Sequence, residues 1–168
     1  MIILGIDPGL ERLGCAVIEK KLQSEPIMIK AGCVKTKAGL GYEKRLLLIV
    51  NEVEKIIKRF KPDLLAIEKI FFTKNQKTAF QIAEVRGAVL YLAAKKNTPI
   101  LEFTPLEVKM ALCGYGKADK KQVQIMIKNM LKLPFVIKQD DVNDAVAIAL
   151  TGLFHKLSAV SASNLYKS

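Results

Sequence analysis

The chain alternates between two hydrophobic periods, and each change of period marks a new element. Ile2, Ile3, Leu4 and Ile6 form a short apolar run ending in Asp7-Pro8-Gly9, the pattern of a strand entering a turn. Two further β-rich runs follow, Leu13 to Glu19 and Ile27 to Val34, joined by connections short enough for antiparallel hairpins. Between Tyr42 and Phe60, the residues Leu46, Leu47, Ile49, Val50, Val53, Ile56, Ile57 and Phe60 recur at helical spacing. Lys61-Pro62-Asp63 stops this helix. Leu64 to Ile67 is apolar throughout, as a central strand is, and ends at Glu68. Ala79, Ile82, Val85, Val89 and Leu92 mark a second helix up to Lys95, and Pro99 to Phe103 reads as a fifth strand.

The remainder is helical. Pro105 to Leu112 is a short helix, and Ala118 to Leu131 follows a Gly114-Tyr115-Gly116 loop. Asp140 or Asp141 opens the last helix, which runs through Val146 and Ala149 to about Leu157. Residues 158–168, with Ser158, Ser161, Ser163 and Ser168, read as a flexible tail. The order β-β-β-α-β-α-β-α-α-α predicts an α/β domain over residues 1–157, a mixed five-stranded sheet flanked by helices. A length of 168 residues suits one such domain, and no repeat or linker divides it.

Charge narrows the function. Lys and Arg number 27 against 16 Asp and Glu, a net charge of +11 suited to a polyanionic partner such as nucleic acid. The apolar runs Leu46 to Val50 and Ala145 to Leu150 are far shorter than the ~20 residues that span a bilayer. The opening MIILGIDPG has no basic n-region, so no signal peptide is expected. Cys15, Cys33 and Cys113 form no C-x-x-C pair, against a disulfide framework or zinc site and for a reducing, cytoplasmic setting. With His155 the sole histidine, multi-histidine metal sites are excluded. Hydrolytic chemistry must then come from carboxylates, which cut phosphodiesters through a hard divalent metal.

Four acids stand apart. Asp7 and Glu68 end two apolar strands at their carboxyl termini, where open α/β sheets place their sites. If those strands are parallel neighbours, about 5 Å apart, the two carboxylates can share one ligand. Asp141 and Asp144 are three apart at a helix start and project from one side, with Asp140 as the candidate N-cap. Taken singly, each has an ordinary role in a turn, a surface ion pair or a helix first turn. Gathered together they would repel and raise one another's pKa unless a cation neutralised them. The all-oxygen donor set fits Mg²⁺, with Mn²⁺ as a substitute, as one ion or as two roughly 4 Å apart.

In sequence order, Gly5-Ile6-Asp7-Pro8-Gly9 with Gly14, Ala66-Ile67-Glu68 with Phe71-Phe72, Gly114 to Lys120, and Asp141-Val142-Asn143-Asp144-Ala145-Val146-Ala147 resemble RuvC, the bacterial Holliday junction resolvase family. The likeness runs from residue 1 to about residue 155. It implies a ribonuclease-H-like fold, a homodimer, Mg²⁺ dependence and paired nicks across a four-way DNA junction. Its catalytic acids fall on Asp7, Glu68, Asp141 and Asp144, its DNA-contacting lysines on Lys109 and Lys120, and its junction-contacting aromatic on Phe71. Between Asp140 and Asp141, the spacing to Asp144 favours Asp141. Lys69 departs from the family pattern, in which a neutral or acidic residue follows the glutamate.

The residues themselves support the contacts. Lys109, Lys117, Lys120 and Lys121 flank a Gly-rich turn and can follow a phosphate backbone, although each alone is equally a solvated lysine. Phe71 and Phe72 sit where a strand exits, one of them suited to stacking on an unpaired base. A C2 dimer supplies two sites for two opposed strands, and the helix from Ala79 to Leu92 is the candidate interface, since its apolar positions exceed what one face of the sheet can cover. The family also implies a RuvA–RuvB branch-migration partner. An RNA-processing nuclease of the same fold and a non-catalytic junction-binding module are the competing readings.

Overall fold

Residues 1–69 and 76–165 are described by the computed structural model. β1 (Ile2–Asp7), β2 (Arg12–Glu19) and β3 (Ile27–Lys35) form an antiparallel meander. β4 (Leu64–Glu68) lies parallel to β1, and β5 (Ile100–Phe103) parallel to β4. The five-stranded order is β3-β2-β1-β4-β5, so β1 has a strand on each side and β4 carries the other candidate acid directly beside it. The expected mixed sheet is present, and β1 and β4 meet the condition for sharing a ligand by being parallel neighbours. Phe71 and Phe72 lie outside the described residues.

Strand alternation sorts the core onto two faces. Leu4, Ile6, Cys15, Val17, Leu65 and Ile67 pack on one face against α1 (Tyr42–Phe60) and α2 (Gln76–Lys95). Ile49 and Val53 of α1 and Val85 and Val89 of α2 are fully buried there. Each such aliphatic side chain contributes roughly 1.5–3 kcal/mol by leaving water. Ile3, Ala16, Ile18, Leu64 and Ala66 face the other way, against α3 (Pro105–Cys113), α4 (Lys120–Met130) and α5 (Asp140–Leu165).

Local chemistry fixes where these helices begin. Thr104 and Glu107 form a reciprocal capping box at the start of α3, with Pro105 in the first turn. Asp119 and Gln122 do the same for α4. α4 therefore starts after its cap rather than at Ala118, and Ala118 itself is buried in the core.

The last helix opens at Asp140, as expected, but differs in its cap and in its length. The Asn143 amide donates to the Gln139 carbonyl at 2.9 Å, so Gln139 takes the N-cap position and Asp140 is already helical. At the other end α5 continues to Leu165, eight residues beyond Leu157. The Ser-rich stretch lacks an apolar period, but extending a formed helix costs far less than nucleating one. Among the described residues, no helix is long and apolar enough to cross a membrane.

α5 lies directly on the sheet. A Cβ at Gly5 would stand 2.3 Å from the Ala145 carbonyl oxygen, and one at Gly14 would stand 1.9 Å from that of Asp141. Neither position can carry a side chain while the helix stays where it is.

Candidate active site

Strand parity aims the two strand-end acids. Asp7 shares its side of β1 with Ile3 and Gly5, and Glu68 shares its side of β4 with Leu64 and Ala66. Both therefore project toward α5, whose first turns carry Asp141 and Asp144. The register pairs Gly5 with Ala66 and Ile6 with Ile67, which puts the two strand ends level.

Burial and mutual repulsion govern the ionisation of these acids. Burial is the largest influence on Asp7, and Glu68, Asp144 and Asp141 add to it, pushing its carboxyl up to about 7 against the opposing pull of Lys120. The Glu68 carboxyl is raised by burial and then by Asp144. Asp144 is raised by burial, while Lys120 acts against the shift. The three acids form a shared, partly buried field of negative charge.

Asp141 is differently engaged. The Arg12 Nε donates to its Oδ2 at 2.6 Å, and the Cys33 Sγ stands 3.9 Å from the same oxygen. Asp140 pairs with Lys120 at 2.8 Å and borders the surface. Among the described residues, no three His, Cys, Asp or Glu side chains are close enough to form a ready-made metal site. The four acids are thus brought to one end of the sheet without closing into a tight ligand set.

The donor chemistry nonetheless suits a hard divalent cation. Asp7, Glu68 and Asp144 offer carboxylate oxygens only, and a buried carboxyl raised to about 7 among like charges is a site where added positive charge is favourable.

Beside these acids lies a cavity of about 240 Å³, lined in part by Glu68, Asp144, Asn143, Lys109 and Lys120. Two of the expected lysines therefore reach the acid cluster. Lys117 and Lys121 are exposed, on the α3–α4 loop and in the first turn of α4.

Sequence pattern alone marks neither Arg12 nor Asn143. Arg12 carries only one sequence signal, its place across the β1–β2 turn from Asp7, and its partner is 129 residues away. Asn143 sits inside the Asp141–Asp144 motif and is fully buried, which its position between two acids conceals.

A family model described as crossover junction endodeoxyribonuclease RuvC matches residues 3–152. The crossover junction endodeoxyribonuclease RuvC of Caldicellulosiruptor saccharolyticus is 44% identical over 167 residues, covering 99% of this chain and 98% of that protein. The same enzyme of Ruminiclostridium cellulolyticum is 42% identical over 161 residues, covering 95% and 96%. Among solved structures, T. thermophilus RuvC in complex with a Holliday junction substrate matches with a TM-score of 0.88 at 33% identity, over 93% of this chain and 94% of that one. The sheet order, the strand-end acids and the relatives converge: the fold is ribonuclease-H-like, and the chain belongs to the RuvC family of crossover junction endodeoxyribonucleases.

Proposed function

We propose that the protein is a structure-selective endonuclease that resolves four-way DNA junctions in recombination and repair by paired, symmetric, metal-dependent hydrolysis of phosphodiesters. One observation carries this reading above the rest. Asp7 and Glu68 end adjacent parallel strands under the helix that bears Asp144, and Lys109 and Lys120 line the cavity beside them. The relatives support a DNA endonuclease and favour neither an RNA-processing enzyme nor a non-catalytic module.

In this reading Asp7, Glu68 and Asp144, joined by Asp141, hold one or two Mg²⁺ or Mn²⁺ ions per subunit. Such ions would polarise the scissile phosphate and favour ionisation of an attacking water. Asp7 must lose a proton to become a ligand, and its raised pKa places that loss near neutrality. Lys120 supports the ionised form of Asp7 and Asp144, and with Lys109 it offers positive charge to the DNA backbone entering the cavity. Lys117 and Lys121 extend that basic path, and Phe71 and Phe72 supply a ring for an unpaired base at the crossover.

Two opposed cuts require two sites at a fixed spacing, which a homodimer provides. α2 supports this role, because it exposes Phe80 (70%) and Tyr91 (63%) while its Val85 and Val89 hold it to the sheet. Leu47 of the neighbouring α1 is exposed as well. A RuvA–RuvB branch-migration complex as partner and a cytoplasmic location complete the proposal.

The direct test is cleavage of a synthetic four-way junction with and without Mg²⁺. Symmetric nicks that disappear on chelation and return with Mg²⁺ or Mn²⁺ are expected. Junction binding with no metal-dependent turnover would reject the enzymatic reading.

A further inference from the structure

The Arg12–Asp141 pair raises a question that the proposed chemistry leaves open. Asp141 belongs to the acid group by position and is close enough to raise the Asp7 pKa, yet its Oδ2 is taken by a guanidinium. The backbones on both sides are fixed. The Asp141 carbonyl rests on Gly14 with no room for a Cβ between them, and Arg12 is paired in register with Lys35. Only side-chain rotation can change this contact.

The pair is also open to exchange. The Arg12 side chain is 48% exposed and that of Asp141 22%, so water weakens their attraction. Together with Lys138, Gln139 and Asp140 they line an open depression at the start of α5. It shares no lining residue with the cavity of Lys109 and Lys120. The Gln139 Nε2 is buried and makes no hydrogen bond, which leaves a donor unused beside Arg12 and Lys138. Asp140 at the rim is already paired with Lys120, so once Asp141 turns away Arg12 and Lys138 are the charges left facing the depression, and a guanidinium fork is well shaped for a phosphodiester oxygen.

We propose that Arg12 is a positioning residue with two alternative partners. In the free protein it holds the Asp141 carboxylate aside. When DNA binds, a backbone phosphate flanking the scissile one takes the Arg12 guanidinium into the depression, and Asp141 turns to complete the ligand set with Asp7, Glu68 and Asp144. Substrate arrival thereby assembles the metal site. The inference rests on the junction-nuclease reading and adds an order of events to it.

The test uses the full-length protein and two readouts besides turnover. Without divalent ions, junction affinity is measured between 50 and 200 mM salt for wild type, Arg12→Gln and Arg12→Lys. Loss of one phosphate contact lowers the salt slope by about one unit in Arg12→Gln, and Arg12→Lys retains it. Without DNA, Mn²⁺ binding is followed by calorimetry. Arg12→Gln is expected to bind Mn²⁺ several-fold more tightly than wild type, because Asp141 is released. In an Asp141→Asn background the same substitution is expected to leave Mn²⁺ affinity unchanged. An unchanged salt slope, or Mn²⁺ binding that weakens in Arg12→Gln, overturns the inference. Should Arg12→Gln not fold, Arg12→Met decides: it removes the Nε donor to Asp141 and is expected to tighten Mn²⁺ binding, and unchanged affinity overturns the idea. If wild type does not cut junctions at all, it is the proposed function that fails.

Discussion

Gly14 lies so close beneath Asp141 that a Cβ on the glycine would reach to 1.9 Å from the aspartate's carbonyl oxygen. The contact sets the height of the α5 first turn above β2 and, through it, the position of both helix acids relative to Asp7. Register adds to this, because Gly14 is the residue paired with Asp7 across β1 and β2.

Gly14→Ala is therefore expected to lift or shift the start of α5. Overpacking of this kind costs about 1–3 kcal/mol. Junction cleavage should fall far more than stability does, because the helix acids move relative to the strand acids. Chemical denaturation alongside a cleavage assay reads both quantities. Near-normal cleavage in the folded variant would show that the contact does not set the site.

Asp7 gives a pH-dependent signature. Its folded pKa of about 7 lies above the ordinary aspartate value of 3.8, so between those values the folded chain keeps a proton that the unfolded chain has released. Stability linked to Asp7 is therefore full below about pH 4 and is lost as pH rises toward 7. Asp7→Asn removes that fall, and unfolding free energies measured from pH 4 to 8 should decline less steeply than in wild type. The same substitution is expected to abolish junction cutting while leaving binding in place.

Lys120 and Lys109 separate by their effect on acidity. Lys120 lowers the Asp7 pKa, so Lys120→Met raises it and moves the acid limb of the pH–rate profile to higher pH. Lys109 is not among the groups acting on Asp7, and Lys109→Met is expected to weaken junction binding with the acid limb unmoved. Each loses about one unit of salt slope if it contacts a phosphate. pH–rate profiles and salt titrations of the two variants distinguish these roles.

Subunit pairing is tested on α2. Phe80→Asp with Tyr91→Asp places charges on its exposed apolar residues and should yield monomers by sedimentation. Junctions cut by such monomers should carry single, uncoupled nicks rather than symmetric pairs. A dimer that persists through both changes would move the interface elsewhere.

Much of this architecture is legible in the residues. The apolar runs before Asp7 and before Glu68 place both acids at strand ends, and the spacing of Asp141 and Asp144 places them on one helical side. Strand parity is legible too: with β1 and β4 side by side and level, counting by twos from Ile3 and from Leu64 assigns Asp7 and Glu68 to a single side of the sheet. The choice between Asp140 and Asp141 turns on tertiary partners instead. Asp140 meets Lys120 and Asp141 meets Arg12, and no local pattern encodes a pairing across 129 residues. The length of α5 escapes for a different reason, since its last turns follow from helix propagation and not from an apolar repeat.

The two faces of the sheet hold different duties. Asp7 and Glu68 open toward α5, while α1 and α2 pack on the reverse. A partner docking on α2 would meet the molecule from behind, with the thickness of the β-layer between it and the acids. Assembly through α2 would then leave each set of acids uncovered by the partner, free to receive its own strand.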